Sequence, residues 1–255
     1  MKAMRPPASL RPHRFRLFDS TVAHGSFSRE GGVSPAPWAS LNVSFGVGDV
    51  PEAVTENRER IRRALGLDAL VSARQVHGET VAVVREGLAP HEEIPACDSL
   101  ITDRPGLGLM IQQADCQAVL LHDPAAGVVA NIHAGWRGSV ANLIGKTIRR
   151  MSEDFRCRPS SLKAAISPSL GPCCAEFQNY LRELPEPFHR HESKPLHFDF
   201  WAISREQLTS AGVRPEQIEV AEICTVCSST HFSYRRERQT GRCASVIALA
   251  PRSAP

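Results

Sequence analysis

The stretch from Ala114 to Gly138 (A-D-C-Q-A-V-L-L-H-D-P-A-A-G-V-V-A-N-I-H-A-G-W-R-G) constrains this chain more than any other. Two short apolar runs flank D-P-A-A-G, a composition that closes a tight turn. The pattern predicts an antiparallel hairpin turning around Asp123 to Gly127. Cys116 opens the first strand, and His133 ends the second just before a Gly-Trp-Arg-Gly turn. In that pairing both residues fall at the open end of the hairpin, and both are strong metal-ligand types.

A third candidate donor is His77, followed by Gly78 at a break between two strands expected within residues 71 to 85. On residue chemistry alone, His77 reads equally well as an ordinary surface histidine. Two imidazoles and a thiolate suit zinc. Three protein ligands leave the fourth tetrahedral position open, as catalytic sites do, whereas structural sites are closed by four. Cys224-x-x-Cys227 has no second C-x-x-C or H-x-x-x-H to complete it and is not read as a zinc site. Adjacent Cys173 and Cys174 are awkward as joint ligands of one metal, so they read as packed or pocket-lining residues. His24, His122, His231 and Asp98 are candidates for acid–base or supporting roles, with a hydrogen-bonded structural role the simpler reading. No residue is singled out as the general acid or base.

Outside the hairpin, residues 14 to 20 read as an opening strand, followed by a turn region with Gly25, Gly31 and Gly32 around Arg29. Trp38 to Asp49 reads as strand and loop and holds Asn42. Asp49 to Gly66 is expected to be a helix, with Pro51 in its first turn and Gly66 at its stop. Val54, Ile61 and Leu65 share its buried face, with its arginines in water. Residues 99 to 103 and the run ending in Gln112-Gln113 are strands. After Gly138 a helix carries Leu143, Ile144, Thr147, Ile148 and Met151 on one face. Free N–H groups at the start of that helix, with Arg137, are expected to make a local anion site. Leu162 to Ile166 is a strand, residues 178 to 197 a helix and an irregular crossing, and Asp199 to Ala211 a helix stopped by Gly212. Ile218 to Ile223 and the end of the chain are strands.

Composition narrows the class. With 255 residues, 42% hydrophobic and 22% charged, the chain can bury a large core in one domain. Residues 1 to 13 read as a flexible tail, and 14 to 255 as a single catalytic domain. A net charge of +3 spread over the chain gives no reason to expect a nucleic-acid partner. No apolar run approaches the ~20 residues of a membrane span, and no secretory h-region follows the basic start. Eight cysteines in such a chain fit reduced thiols in a cytoplasm better than a disulfide framework.

Taken together, F-S-R-E-G-G-V-S, Q-V-H-G, D-S-L-I-T-D, A-D-C, H-A-G-W-R-G, S-L-G-P-C-C and F-S-Y-R-R with T-G-R resemble the YfiH, or laccase-domain, family from about Gly25 to Leu249. The resemblance implies zinc held by His77, Cys116 and His133, the set that ligand chemistry also favours. It implies an α/β fold, a four-layer α/β/β/α sandwich with mixed sheets. It also implies a purine nucleoside enzyme that phosphorolyses adenosine, inosine, guanosine and methylthioadenosine and deaminates adenosine. For phosphorolysis an anion clamp is needed, to which Arg29 and Arg235 are assigned, with Asn42 as a hydrogen-bonding group for substrate. For deamination, zinc lowers the pKa of bound water toward ~7. The chain departs from the family pattern at Ala118 (usually proline), Ser167 and Ser169 (commonly glycine and cysteine) and Ala175 (commonly aromatic). Rival readings are a cysteine hydrolase or amidase on a cell-wall precursor, with Cys116 and His133 as nucleophile and base, and a copper-dependent polyphenol oxidase, for which histidines are too few. A zinc-stabilised binding protein without turnover is the non-enzymatic alternative.

Overall fold

The computed structural model describes residues 10–89 and 92–251. Their elements in chain order are β1 (Val22–Ser26), α1 (Pro51–Ala64), β2 (Ala69–Ser72), β3 (Val81–Val83), β4 (Ser99–Thr102), β5 (Leu107–Gln113), β6 (Gln117–Asp123), β7 (Val128–Ala134), α2 (Trp136–Val140), α3 (Leu143–Phe155), β8 (Lys163–Ile166), α4 (Tyr180–Glu183), β9 (Glu192–Lys194), β10 (His197–Phe198), α5 (Phe200–Ser210), β11 (Ile218–Val220), α6 (Tyr234–Glu237) and β12 (Cys243–Leu249). One sheet has the order β1-β12-β5-β2 and a second the order β11-β8-β6-β7-β4-β3, while β9 and β10 form a small ribbon. Both large sheets are mixed: β2 pairs parallel with β5, β3 with β4 and β11 with β8, and the other pairs are antiparallel.

Alternation along the strands builds the layers. On β5, Leu109 and Ile111 join Leu100, Leu120 and Val129 of the six-stranded sheet in one core, so the two sheets pack face to face. Met110 points the other way and meets Val246, Ala248 and the α1 residue Ile61. Across the six-stranded sheet, Val119, Leu121, Ala130 and Ile132 pack on Leu143, Ile144, Ile148 and Met151 of α3 and Leu208 of α5. The result is α1, four strands, six strands, then α3 with α5, the expected four-layer α/β/β/α sandwich. Because β6 and β7 have apolar neighbours on both faces, every residue of each is buried.

Local expectations fail where side chains act at a distance. Residues 14 to 20 are not a strand. Phe15 and Phe18 are core residues, but the chain turns between them, and the Phe15 N–H donates to His24 Nε2 at 3.0 Å. The edge strand is β1 instead, and His13, assigned to the tail, exchanges backbone hydrogen bonds with Ser26. Leu10 of that tail also packs against the core, while residues 1–9 lie outside the described residues. Trp38 to Asp49 contains one 3-10 turn and no strand. Helix α1 runs from Pro51 to Ala64, two residues inside the expected span at each end, and its arginines are not all in water. Arg58 is buried, donating to Val43 O and Ser72 Oγ and pairing with Glu93 at 2.6 Å. Among the described residues, no helix is long and apolar enough to cross a membrane.

Candidate metal centre

The β6–β7 hairpin closes where its sequence predicts. Asp123 Oδ1 accepts the N–H groups of Ala125 and Ala126, and Gly127 takes a positive φ of 63°. Ala118 pairs with His133 and Gln117 with Ala134, so Cys116 sits just beyond the strand, at the open end beside His133. Asp115 aims it. With φ of 91°, Asp115 is held by Thr225 Oγ1 on one carboxylate oxygen and the Arg235 N–H on the other, both at 2.7 Å. The third donor arrives on the loop between β2 and β3. There one carboxylate, Asp98, accepts the N–H groups of Val76, His77 and Gly78 at 3.2, 2.9 and 2.8 Å.

The same carboxylate accepts His133 Nδ1 at 2.8 Å. Placing the Nδ1 proton toward Asp98 leaves the Nε2 lone pair for the cluster, the arrangement that carboxylate–histidine pairs give metal ligands. The donor atoms of His77, Cys116 and His133 lie within 4.8 Å of one another. Cys116 Sγ is 3.8 Å from His77 Nε2, against the roughly 3.6 Å edge that a tetrahedral zinc with ordinary Zn–S and Zn–N bonds requires. A Cβ on Gly135 would stand 3.1 Å from both Cys116 Sγ and His77 Cδ2, so glycine is what lets the turn approach the donors. These residues fit a zinc ion.

Electrostatics prepares the thiolate. Burial by itself disfavours the Cys116 thiolate, but the imidazoles of His133 and then His77 outweigh it and hold its pKa below the usual thiol range. Burial likewise opposes charge on His133, and there the Cys116 sulfur and Asp98 prevail and raise its pKa. The thiolate form is the ligating form.

The centre lies in a cavity of about 1080 Å³, at the upper end of small-molecule sites. Trp136, Phe177 and Phe200 supply aromatic surface, and Arg235, Arg238 and Arg242 supply cations. The Arg235 guanidinium donates to Glu176 O at 2.9 Å and lies 5.8 Å from the Phe177 ring centre. Burial lowers the Arg242 pKa against the pull of Cys116 and Asp115, and its Nη1 donates to the carbonyls of Thr240 and Gly241.

Of the anion-clamp residues expected from sequence, only Arg235 lines this cavity. Arg29 is committed elsewhere: it pairs with Glu237 at 2.7 Å, donates to Ala39 O and stacks on Phe232. Asn42 is fully buried, donating to Asp49 and Ser44 O and accepting from the N–H groups of Ser44 and Arg242. Both stand behind the segment that carries Arg235 and Arg242 and brace it. Arg137 stacks on Trp136 at 4.3 Å and does not line the cavity, and α2 is a single short turn of helix. His24, His122 and His231 lie away from it, while Asp98 supports the donors. Arg238 belongs to the basic run from Tyr234 in which at least one inward-pointing arginine is expected, whereas Arg242 escaped sequence reasoning, although it ends the T-G-R segment and so carried a signal.

Two of the residues at which the sequence is expected to depart from the family pattern, Ala118 and Ser167, are hydrogen-bonded to each other. A proline at 118 has no N–H; the buried Ala118 N–H here needs an acceptor and finds Ser167 Oγ at 2.9 Å. Ser169 Oγ accepts Trp201 Nε1 at 2.7 Å. The expectation for the remaining cysteines is overturned. Cys173 and Cys174 neither pack in the core nor line the cavity, and their sulfurs meet those of Cys224 and Cys227.

Residues 23–250 match the family model described as multi-copper polyphenol oxidoreductase laccase. The chain belongs to that family. It is 40% identical over 235 residues to a Streptomyces griseus protein named purine nucleoside phosphorylase ORF3, covering 89% of this chain and 94% of the relative. It is 35% identical to the Escherichia coli (strain K12) purine nucleoside phosphorylase YfiH, covering 89% and 94%. The crystal structure of YlmD from Geobacillus stearothermophilus superposes with a TM-score of 0.86 at 30% identity, covering 97% of this chain and 98% of that one.

Proposed function

We propose that this protein is a zinc-dependent purine nucleoside enzyme that phosphorolyses adenosine, inosine, guanosine and methylthioadenosine and also deaminates adenosine. The observation that carries the proposal is the three-donor centre opening into a cavity with aromatic and arginine walls. Relatives named purine nucleoside phosphorylase support the substrate class.

In phosphorolysis a phosphate oxygen bonds to ribose C1′ as the bond from C1′ to the base nitrogen breaks, and the base leaves with a proton. Arg235 and Arg242 hold the phosphate, since guanidinium pairs well with its oxygens. Phe177, Phe200 and Trp136 exclude water and present flat apolar surface to the base. Asp98 fixes the tautomer of His133 and the backbone of His77, and Asp115 fixes Cys116. His77, Cys116 and His133 would hold the zinc, which would supply Lewis acidity there.

The family description names copper, but the described donor cluster holds only two histidines and a cysteine, a set that suits zinc. Incubating the pure protein with adenosine and phosphate, with and without chelator, and following adenine, inosine and hypoxanthine tests the reading. Adenine and inosine should form and both should fall with zinc removal. A stoichiometric zinc protein that makes neither product sinks it. Turnover undiminished by complete metal removal would favour a free Cys116 nucleophile instead.

A further inference from the structure

Four cysteines outside the cavity meet on two loops, the first of which also lines the cavity through Leu170 and Phe177. The loop after β8 carries Cys173 and Cys174, and the loop after β11 carries Cys224 and Cys227. Parallel pairing of β8 with β11 continues into a bridge between Ser169 and Cys224, with Ser169 N–H donating to Ile223 O and Thr225 N–H to Ser169 O, both at 3.0 Å. Two tight turns then bring the remaining sulfurs round: Cys174 N–H donates to Gly171 O, and Ser228 N–H to Cys224 O, each at 3.0 Å. A Cβ on Gly171 would stand 2.9 Å from the Cys224 Cβ, so a glycine is required for the loops to come this close.

All four sulfurs lie within 4.8 Å of one another, with Cys227 Sγ 3.6 Å from Cys173 Sγ and 3.5 Å from Cys174 Sγ. A tetrahedral zinc with Zn–S bonds of about 2.3 Å sets its sulfurs about 3.8 Å apart, whereas a disulfide brings two sulfurs to about 2.05 Å. The Gly171 N–H donates to Cys224 Sγ at 3.4 Å, a contact that stabilises a ligating thiolate. Nearby, Lys194 Nζ donates to Cys173 O at 3.0 Å and brings positive charge to a cluster that is anionic when it ligates.

We propose that Cys173, Cys174, Cys224 and Cys227 form a second, structural zinc site, closed by four thiolates and separate from the His77, Cys116 and His133 centre. It joins the two loops next to Leu170, which lines the cavity, and Thr225, which holds Asp115. This proposal does not rest on the purine reading, because metal content reports it whatever the substrate.

The test is zinc content of the full-length protein purified under reducing conditions and dialysed against zinc, then against buffer. Cys116→Ala should retain about one zinc ion per chain, with the cobalt-substituted form of that variant showing the intense sulfur-to-cobalt absorption of four thiolates. A Cys224→Ser/Cys227→Ser variant should lose one equivalent and that absorption. If the loop variant does not fold, Cys116→Ala alone decides. A folded Cys116→Ala protein devoid of zinc overturns the proposal, as does recovery of the four cysteines as disulfides from the reduced, zinc-dialysed protein.

Discussion

The two ends of the β6–β7 hairpin use the same residue types and do opposite things. At the closed end stand His122 and Asp123, and at the open end His133 and, from β4's approach, Asp98. Asp123 commits its oxygens to the turn and the next loop: Oδ1 accepts Ala125 and Ala126, and Oδ2 accepts the Arg158 N–H. His122 is then left with burial, which pushes its pKa down to about 4, and its Nδ1 has no partner among the described residues. Asp98 instead gives an oxygen to His133 while gripping three N–H groups of the His77 loop, and there the Cys116 sulfur and then Asp98 overcome burial and raise the histidine pKa. A buried histidine beside an aspartate is therefore a site only where the carboxylate is free to orient it.

The hardest way to break this contrast is to remove the thiolate. Cys116→Ala should stay folded, since Cys116 is half-buried and its aiming residue Asp115 keeps its partners. Zinc at the open end should be lost and phosphorolysis should fall roughly a thousandfold or more, the several kcal/mol of a Lewis acid. Zinc content of the His77, Cys116 and His133 centre unchanged in that variant would remove Cys116 from the donor set. Asp98→Asn comes next. An amide cannot offer two acceptor oxygens to four N–H groups, so zinc affinity at the open end should drop about 10- to 100-fold in a chelator competition titration. Undiminished affinity would mean that the carboxylate is only a loop anchor.

How much of this could be read from sequence follows the range of the interactions. The hairpin was legible because turn chemistry and strand pattern are local, and its register puts Cys116 and His133 together without further information. The α3 face was legible for the same reason. Arg29 was assigned to substrate because an arginine bracketed by glycines suits anion binding, and Asn42 as a hydrogen-bonding group, yet their partners, Glu237 and the Arg242 N–H, are about 200 residues away in the chain. Arg58 was assigned to water because no local rule places Glu93 and Phe45 around it. The four-cysteine cluster was invisible to spacing rules that look for two regular pairs, since one half is a Cys-Cys dipeptide brought across by a parallel strand.

The cavity side of the contrast is sharpened by Arg235→Gln. Losing one charge-assisted contact of about 1.5–3 kcal/mol should raise the KM for phosphate roughly 10- to 100-fold. Deamination of adenosine uses no phosphate and should change little, so the ratio of inosine to adenine formed should rise. A parallel fall in both products would instead make the Arg235 side chain a brace for the cavity wall, through the hydrogen bond its guanidinium donates to Glu176 O.

The smallest effect belongs to the closed end. His122 has its folded pKa near 4 because burial penalises charge, while an unfolded histidine titrates at about 6.5. Above pH 6.5 neither state holds the proton and the residue contributes nothing to the pH dependence. As pH falls from 6.5 toward 4, the unfolded chain gains a proton that the folded chain refuses, so stability drops, and below 4 the loss levels off. At pH 5 the deficit amounts to about 2 kcal/mol on that arithmetic. His122→Leu should therefore narrow the gap in urea-unfolding free energy between pH 7 and pH 5 by about that much, with zinc content untouched. An unchanged gap would show that His122 protonates in the folded protein as readily as in the unfolded one. In that case the difference between the hairpin's two ends would lie in metal ligation and not in how each aspartate uses its oxygens.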